Sequence, residues 1–122
     1  MPSLFLMRCI RNMAEFLGGL EQVVLLAVAH LGEEAYGVTV RQEIERRTGR
    51  SLSLGAVYST LYRIESKGLV SSRLGESTPE RGGRAKRLFR VETEGERALR
   101  ATRRMLERMW EGAEPVLGAE SS

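Results

Sequence analysis

Residues 51–70, SLSLGAVYSTLYRIESKGLV, restrict the architecture more than any other stretch of the chain. Leu54, Val57, Leu61 and Ile64 recur at three, four and three residues, which puts them on one stripe of a helix. Ser53 stands at the N-cap position, where a hydroxyl accepts an unpaired N–H of the first turn. Gly68 stands just past the C-terminus, where a left-handed residue is needed. The period then switches from helical to strand-like with no linker.

The polar side of this helix carries Ala56, Ser59, Thr60, Arg63 and Lys67, flanked by Tyr58 and Tyr62, and carboxylates are nearly absent before Glu65. Solvated helix faces ordinarily mix both charge signs. This one has the small, hydroxylated, aromatic and cationic side chains that suit a polyanion. Net charge decides little at +3, but 17 of the 19 basic residues are Arg. Arg is the side chain best shaped for paired contacts to phosphates and guanine edges.

Two helices precede this stretch. Leu20, Val23, Val24, Ala27, Val28 and Leu31 give the first a wide apolar stripe that Gly32 terminates. His30 sits at its end, where a cation meets the helix dipole favourably, and no second histidine exists to share a metal. The second helix opens at Gly37 or Thr39, runs to about Arg47 and ends at Thr48-Gly49. Only Val40 and Ile44 are apolar on its buried edge, so it is mostly a surface helix. Three short helices with the last one cationic form a helix-turn-helix arrangement.

Behind it, Leu69–Leu74 and Arg87–Val91 read as two strands around a turn-rich loop, a hairpin that serves as a wing. Arg81, Arg84, Lys86, Arg87 and Arg90 place five cations within ten residues there. A solvated hairpin tip would also tolerate such charge. Next to a cationic helix, phosphate contact is the better explanation. The last helix, from about Thr93 to Ala113, carries Leu99, Thr102, Leu106, Met109 and Ala113 on one stripe, widened by Ala98, Met105 and Trp110. Its other face holds Arg97, Arg100, Arg103, Arg104, Glu107 and Arg108. Such a helix is expected to bury little against its own chain and to need a partner helix, which predicts a homodimer.

The expected organisation is an N-terminal extension at 1–17, a winged helix-turn-helix at 18–92, a dimerisation helix at 93–114 and a flexible tail at 115–122. The extension either adds an apolar strip of Leu6, Ile10, Met13 and Phe16 or forms a loose leader, Met13 being an alternative start. The fold class is mainly α with a small β-hairpin. The apolar run Val23–Leu31 is too short to span a bilayer, and Arg8 and Arg11 follow rather than precede the first apolar residues, against the order of a secretory signal. The single cysteine, Cys9, allows no internal disulfide. A cytoplasmic protein is expected.

Several pieces resemble the PadR family of winged-helix transcriptional regulators, over roughly residues 18–112. They are Tyr36-Gly37 before the second helix, Gly55 to Glu65 (GAVYSTLYRIE) in the third, and Lys67-Gly68-Leu69-Val70 at the wing entrance. Gly83-Arg84 and Lys86-Arg87 follow in the wing, and Glu94-Gly95 opens the last helix. The short final helix resembles the compact members. Two departures stand out: Leu88-Phe89 replaces paired tyrosines of the second wing strand, and Glu92-Thr93-Glu94-Gly95 alters the usual cap of the last helix.

The resemblance implies a dimeric DNA-binding repressor whose third helices enter successive major grooves of a palindromic operator. It implies no cofactor. The expected DNA-facing set is Ser53, Ala56, Tyr58, Ser59, Thr60, Tyr62, Arg63, Lys67, Arg81, Arg84, Lys86 and Arg87. The expected dimer interface is Leu99, Thr102, Met105, Leu106, Met109 and Ala113. Small aromatic or hydrophobic effectors are frequent in the family, so Leu106, Met109 and Trp110 either line a ligand site or pack between subunits. An enzyme is disfavoured, since catalysis needs convergent titratable groups. A winged helix used only for protein contact is the rival reading, and Glu76 and Glu80 in the wing loop favour it mildly.

Overall fold

In the computed structural model, residues 16–76 and 85–118 are described. Arg81 and Arg84, expected in the wing, lie outside them, as do Cys9 and most of the N-terminal extension. The chain runs α1 (Gly19–Leu31), a 3-10 turn (Gly32–Glu34), α2 (Gly37–Thr48), α3 (Leu54–Ser66), β1 (Val70–Leu74), β2 (Arg87–Val91), α4 (Thr93–Trp110) and α5 (Glu114–Leu117).

The local signals explain these bounds. Gly32 ends α1 with φ 58° and Gly49 ends α2 with φ 74°. Ser53 Oγ accepts the Ala56 N–H at 3.1 Å and caps α3. Beyond α3, Gly68 takes φ 78°, and the Leu69 N–H returns to the Ile64 carbonyl at 2.9 Å. That left-handed step turns the chain from helix into strand within two residues.

The core is one cluster shared by all the elements around α3. Val24, Leu25 and Val28 of α1, Val40 and Ile44 of α2, and Val57, Leu61 and Ile64 of α3 are buried together with Val70, Phe89 and Ala98. The hairpin is antiparallel, with Val70 opposite Val91, Ser72 opposite Phe89 and Leu74 opposite Arg87. Alternation along each strand therefore puts Val70, Ser72, Phe89 and Val91 on one face. The Phe89 N–H donates to the Ala35 carbonyl at 2.8 Å and ties the hairpin to the α1–α2 connection.

The last helix differs from its expected behaviour. Its first half packs on its own chain: Gly95, Ala98 and Thr102 are buried. Gly95 lies against the start of β1, where a Cβ would stand 2.2 Å from the Leu69 carbonyl oxygen. Thr102, expected at the dimer interface, instead accepts the Leu17 N–H at 3.1 Å inside the monomer. Leu17, counted with the extension, is a core residue at 6% exposure. Only the second half of α4 projects, ending at Trp110 rather than Ala113. Gly112 then takes φ 77° and a turn of helix covers residues 114–117, where a flexible tail was expected.

Candidate nucleic-acid interface

The outer face of α3 combines exposed Ser53, Gly55, Ser59, Tyr62 and Arg63 with half-buried Ala56. The apolar stripe fixes this orientation, because burying Val57, Leu61 and Ile64 turns the intervening residues outward. Arg63 makes no ion pair within 4 Å among the described residues, so its five donors stay available.

Three residues expected on this face do other work. Thr60 is buried at 1% exposure, and its hydroxyl donates to the Ala56 carbonyl at 2.8 Å. It lies only one residue from the exposed Ser59, but 100° of helix turn carries it past the boundary of the stripe. Tyr58 is half-buried and its ring tip fills the space over Gly37, where a Cβ would meet Cζ at 2.3 Å. Lys67 is exposed but engaged: its Nζ donates to Glu21 Oε2 at 2.7 Å.

Glu21 is the residue that sequence reasoning missed. It is buried at 6% exposure, accepts the Gly18 N–H at 3.0 Å and bonds Lys67 through its other oxygen. Burial pushes its carboxyl up. The Lys67 and Gly18 hydrogen bonds and the charges of Lys67 and Arg63 outweigh burial, and hold it below the ordinary 4.5. A signal did exist, since an acid in the third helical position behind Gly18 is where an N-terminal capping carboxylate belongs.

An aromatic row joins α3 to the hairpin. Tyr58 and Tyr62 stack with ring centroids 6.0 Å apart, and Tyr62 meets Phe89 at 6.4 Å and 60°. Lys86, at the loop end of the hairpin, sits with Nζ 4.4 Å from the centre of the Tyr36 ring. Arg87 is exposed and donates through Nη1 to Ser72 Oγ at 3.0 Å, and Ser72 Oγ in turn donates to a Glu65 carboxylate oxygen. Ser71 donates to Glu92, which holds that carboxyl below its ordinary range against its partial burial, with Arg90 adding to the effect. The Tyr62–Phe89 contact and the hydrogen bonds from Glu65 through Ser72 to Arg87 join the exposed α3 face to the hairpin, whose loop end carries exposed Arg87 and half-buried Lys86. Glu21 and Glu65, which lie beside α3, are both hydrogen-bonded.

The other predicted set separates by position along α4. Leu99, Met105 and Ala113 are half-buried, whereas Leu106, Met109 and Trp110 are exposed at 39%, 73% and 57%. A groove of about 560 Å³ lies elsewhere, between the end of α1, the outer face of the hairpin and the start of α4, with Val28, Leu88, Val91 and Leu99 along it and Arg73 and Arg90 at its rim. No described helix is long and apolar enough to cross a membrane. Among the described residues no three His, Cys, Asp or Glu gather where a metal ion could bind.

Comparison with known proteins identifies the family. Residues 25–101 match the model of the transcriptional regulator PadR-like family. The chain is 38% identical over 88 residues to the transcriptional regulator Rv3488 of Mycobacterium tuberculosis, covering 72% of this chain and 75% of that one. A PadR-like transcription factor from Bacteroides fragilis superimposes with a TM-score of 0.67 at 22% identity, over 89% of this chain and 98% of that one. A PadR family regulator from Eggerthella lenta gives 0.64 at 21% identity, over 97% and 100%. The chain belongs to the PadR-like family of transcriptional regulators.

Proposed function

We propose that the protein represses transcription as a homodimer that binds a palindromic operator in double-stranded DNA. The α3 helix of each subunit enters a major groove, and the loop end of the wing reaches the adjacent backbone. The observation that carries this reading is the exposed Ser53, Ser59, Tyr62 and Arg63 face, joined to the hairpin that carries Arg87 and Lys86 and offset by no free carboxylate of α3. Phosphate contacts supply most of the affinity and make it salt-dependent, while side chains of α3 select the sequence.

Two features support the rest of the proposal. The exposed Leu106, Met109 and Trp110 give α4 an apolar end that a second copy covers. The groove of about 560 Å³ falls in the size range of small-molecule sites, so an apolar or aromatic effector seated there would press on the hairpin and α4 together.

The test is a gel-shift titration against the promoter region of the protein's own gene, with and without planar aromatic compounds. Arg63→Ala is expected to weaken binding by about 1–3 kcal/mol, the range for one good base or phosphate contact. Undiminished binding by that variant would show that α3 does not present this face to DNA. Winged-helix use for protein contact alone would leave the whole titration blank.

A further inference from the structure

Among the described residues, a side-chain hydrogen-bond relay joins the wing to α3, and it involves a residue with no DNA-facing position of its own. Glu65 lies in the last turn of α3 and is half-buried. Its carboxylate accepts from the Ser72 hydroxyl of β1, and the same Ser72 oxygen accepts from Arg87 Nη1 of β2 at 3.0 Å. Ser72 pairs with Phe89 in the ladder, and Arg87 is the next residue of β2 on the same face. The relay therefore crosses from helix to first strand to second strand. It runs just outside the packing of Tyr62 on Phe89 at 6.4 Å.

We propose that Glu65 is a positioning residue: acting through Ser72, it fixes the Arg87 guanidinium relative to the reading face of α3. The inference rests on the DNA-binding reading above. A serine hydroxyl has one proton, and Glu65 takes it. The Ser72 oxygen is thereby left with its lone pairs directed at Arg87, and the negative carboxylate polarises the hydroxyl and strengthens what it accepts. Arg87 uses one of its five N–H groups on Ser72, which leaves the rest of its planar fork for a phosphate. Free in solution, an exposed arginine at the loop end of a two-stranded ribbon samples many rotamers, and ordering it on DNA costs affinity. With the relay in place, that ordering happens on folding. The spacing between the wing contact and the groove contact is then set by the protein before DNA arrives.

The experiment uses the full chain and the highest-affinity duplex that the wild-type protein selects from a random-sequence pool. Arg87→Ala, Glu65→Ala and Ser72→Ala are each expected to weaken binding to that duplex by about threefold to tenfold, the worth of pre-ordering one flexible side chain. Glu65→Gln keeps an acceptor for Ser72 and is expected to recover most of the loss. The decisive readout is the double variant. Glu65→Ala added to Arg87→Ala should cost nothing further, because there is no guanidinium left to position. The salt slope of Glu65→Ala should stay near that of wild type, since no direct phosphate contact is removed. Thermal melts identify any variant that fails to fold, and Ser72→Ala then carries the test in place of Glu65→Ala.

If Arg63→Ala weakens binding while the Glu65 and Arg87 losses simply add, the relay is overturned and the DNA reading stands. The same holds if Glu65→Ala binds like wild type. If no duplex is enriched from the pool, the DNA reading falls and takes the relay with it.

Discussion

Glycine at position 95 shows how a single missing methyl group can decide a fold. An added Cβ would stand 2.2 Å from the Leu69 carbonyl oxygen and 3.0 Å from Val91 Cγ1. The nearer atom is backbone, and that carbonyl already accepts the Glu92 N–H at 2.9 Å. Neither side can yield without moving the hairpin from α4. Gly95→Ala is therefore expected to destabilise the protein by about 1–3 kcal/mol, the ordinary cost of overpacking, read as a lowered urea midpoint. A midpoint equal to that of wild type would show that α4 can slide at this contact. Gly37 differs in kind, because the atoms over it belong to the Tyr58 ring. These two glycines were legible as parts of Tyr36-Gly37 and Glu94-Gly95, but the reason for each lies in what packs over it.

Among the elements, α1 and α3 share the apolar core and are bridged at its edge by the Glu21–Lys67 pair. The sign of its pH dependence follows from Glu21, whose carboxyl sits below the ordinary 4.5 in the folded chain. A lowered acid contributes stability that is fully present above the unfolded value and disappears as pH falls through the folded one. Thermal stability should accordingly decline on acidification below about 4.5, and Glu21→Gln should flatten that decline. A variant as acid-sensitive as wild type would assign the decline to other carboxylates. The sequence was a good guide to the elements themselves, because apolar spacing, Ser53, Gly32, Gly49 and Gly68 are local signals. It was a poor guide to joints such as this one. Residues 21 and 67 are 46 positions apart, and nothing in the spacing of either pairs them.

For the molecule as a whole, α4 divides into a half that closes the monomer and a half that projects. Thr102 and Ala98 belong to the first, and Leu106, Met109 and Trp110 to the second. A dimer built on the projecting half is weakened by charge there. Trp110→Glu is expected to shift the light-scattering mass at micromolar concentration from dimer towards monomer and to leave the monomer's melting cooperative. A wild-type protein that is already monomeric under those conditions would remove the two-half-site picture.

The sequence by itself determined the order and type of the elements and the cationic character of α3 and the wing. It also showed the need for turns at particular glycines. These follow from periodicity and from backbone sterics, which act over a few residues. Tertiary structure decided which polar side chains remain free. Thr60 turned inward onto its own helix, Lys67 was taken by Glu21, Thr102 was claimed by Leu17, and Arg87 was tied through Ser72 to Glu65. Three of those four partners are distant in sequence, and a buried or half-buried polar group must find a partner wherever the fold supplies one. The proposed reading surface is thus what remains of the polar face of α3 after the fold has taken its share.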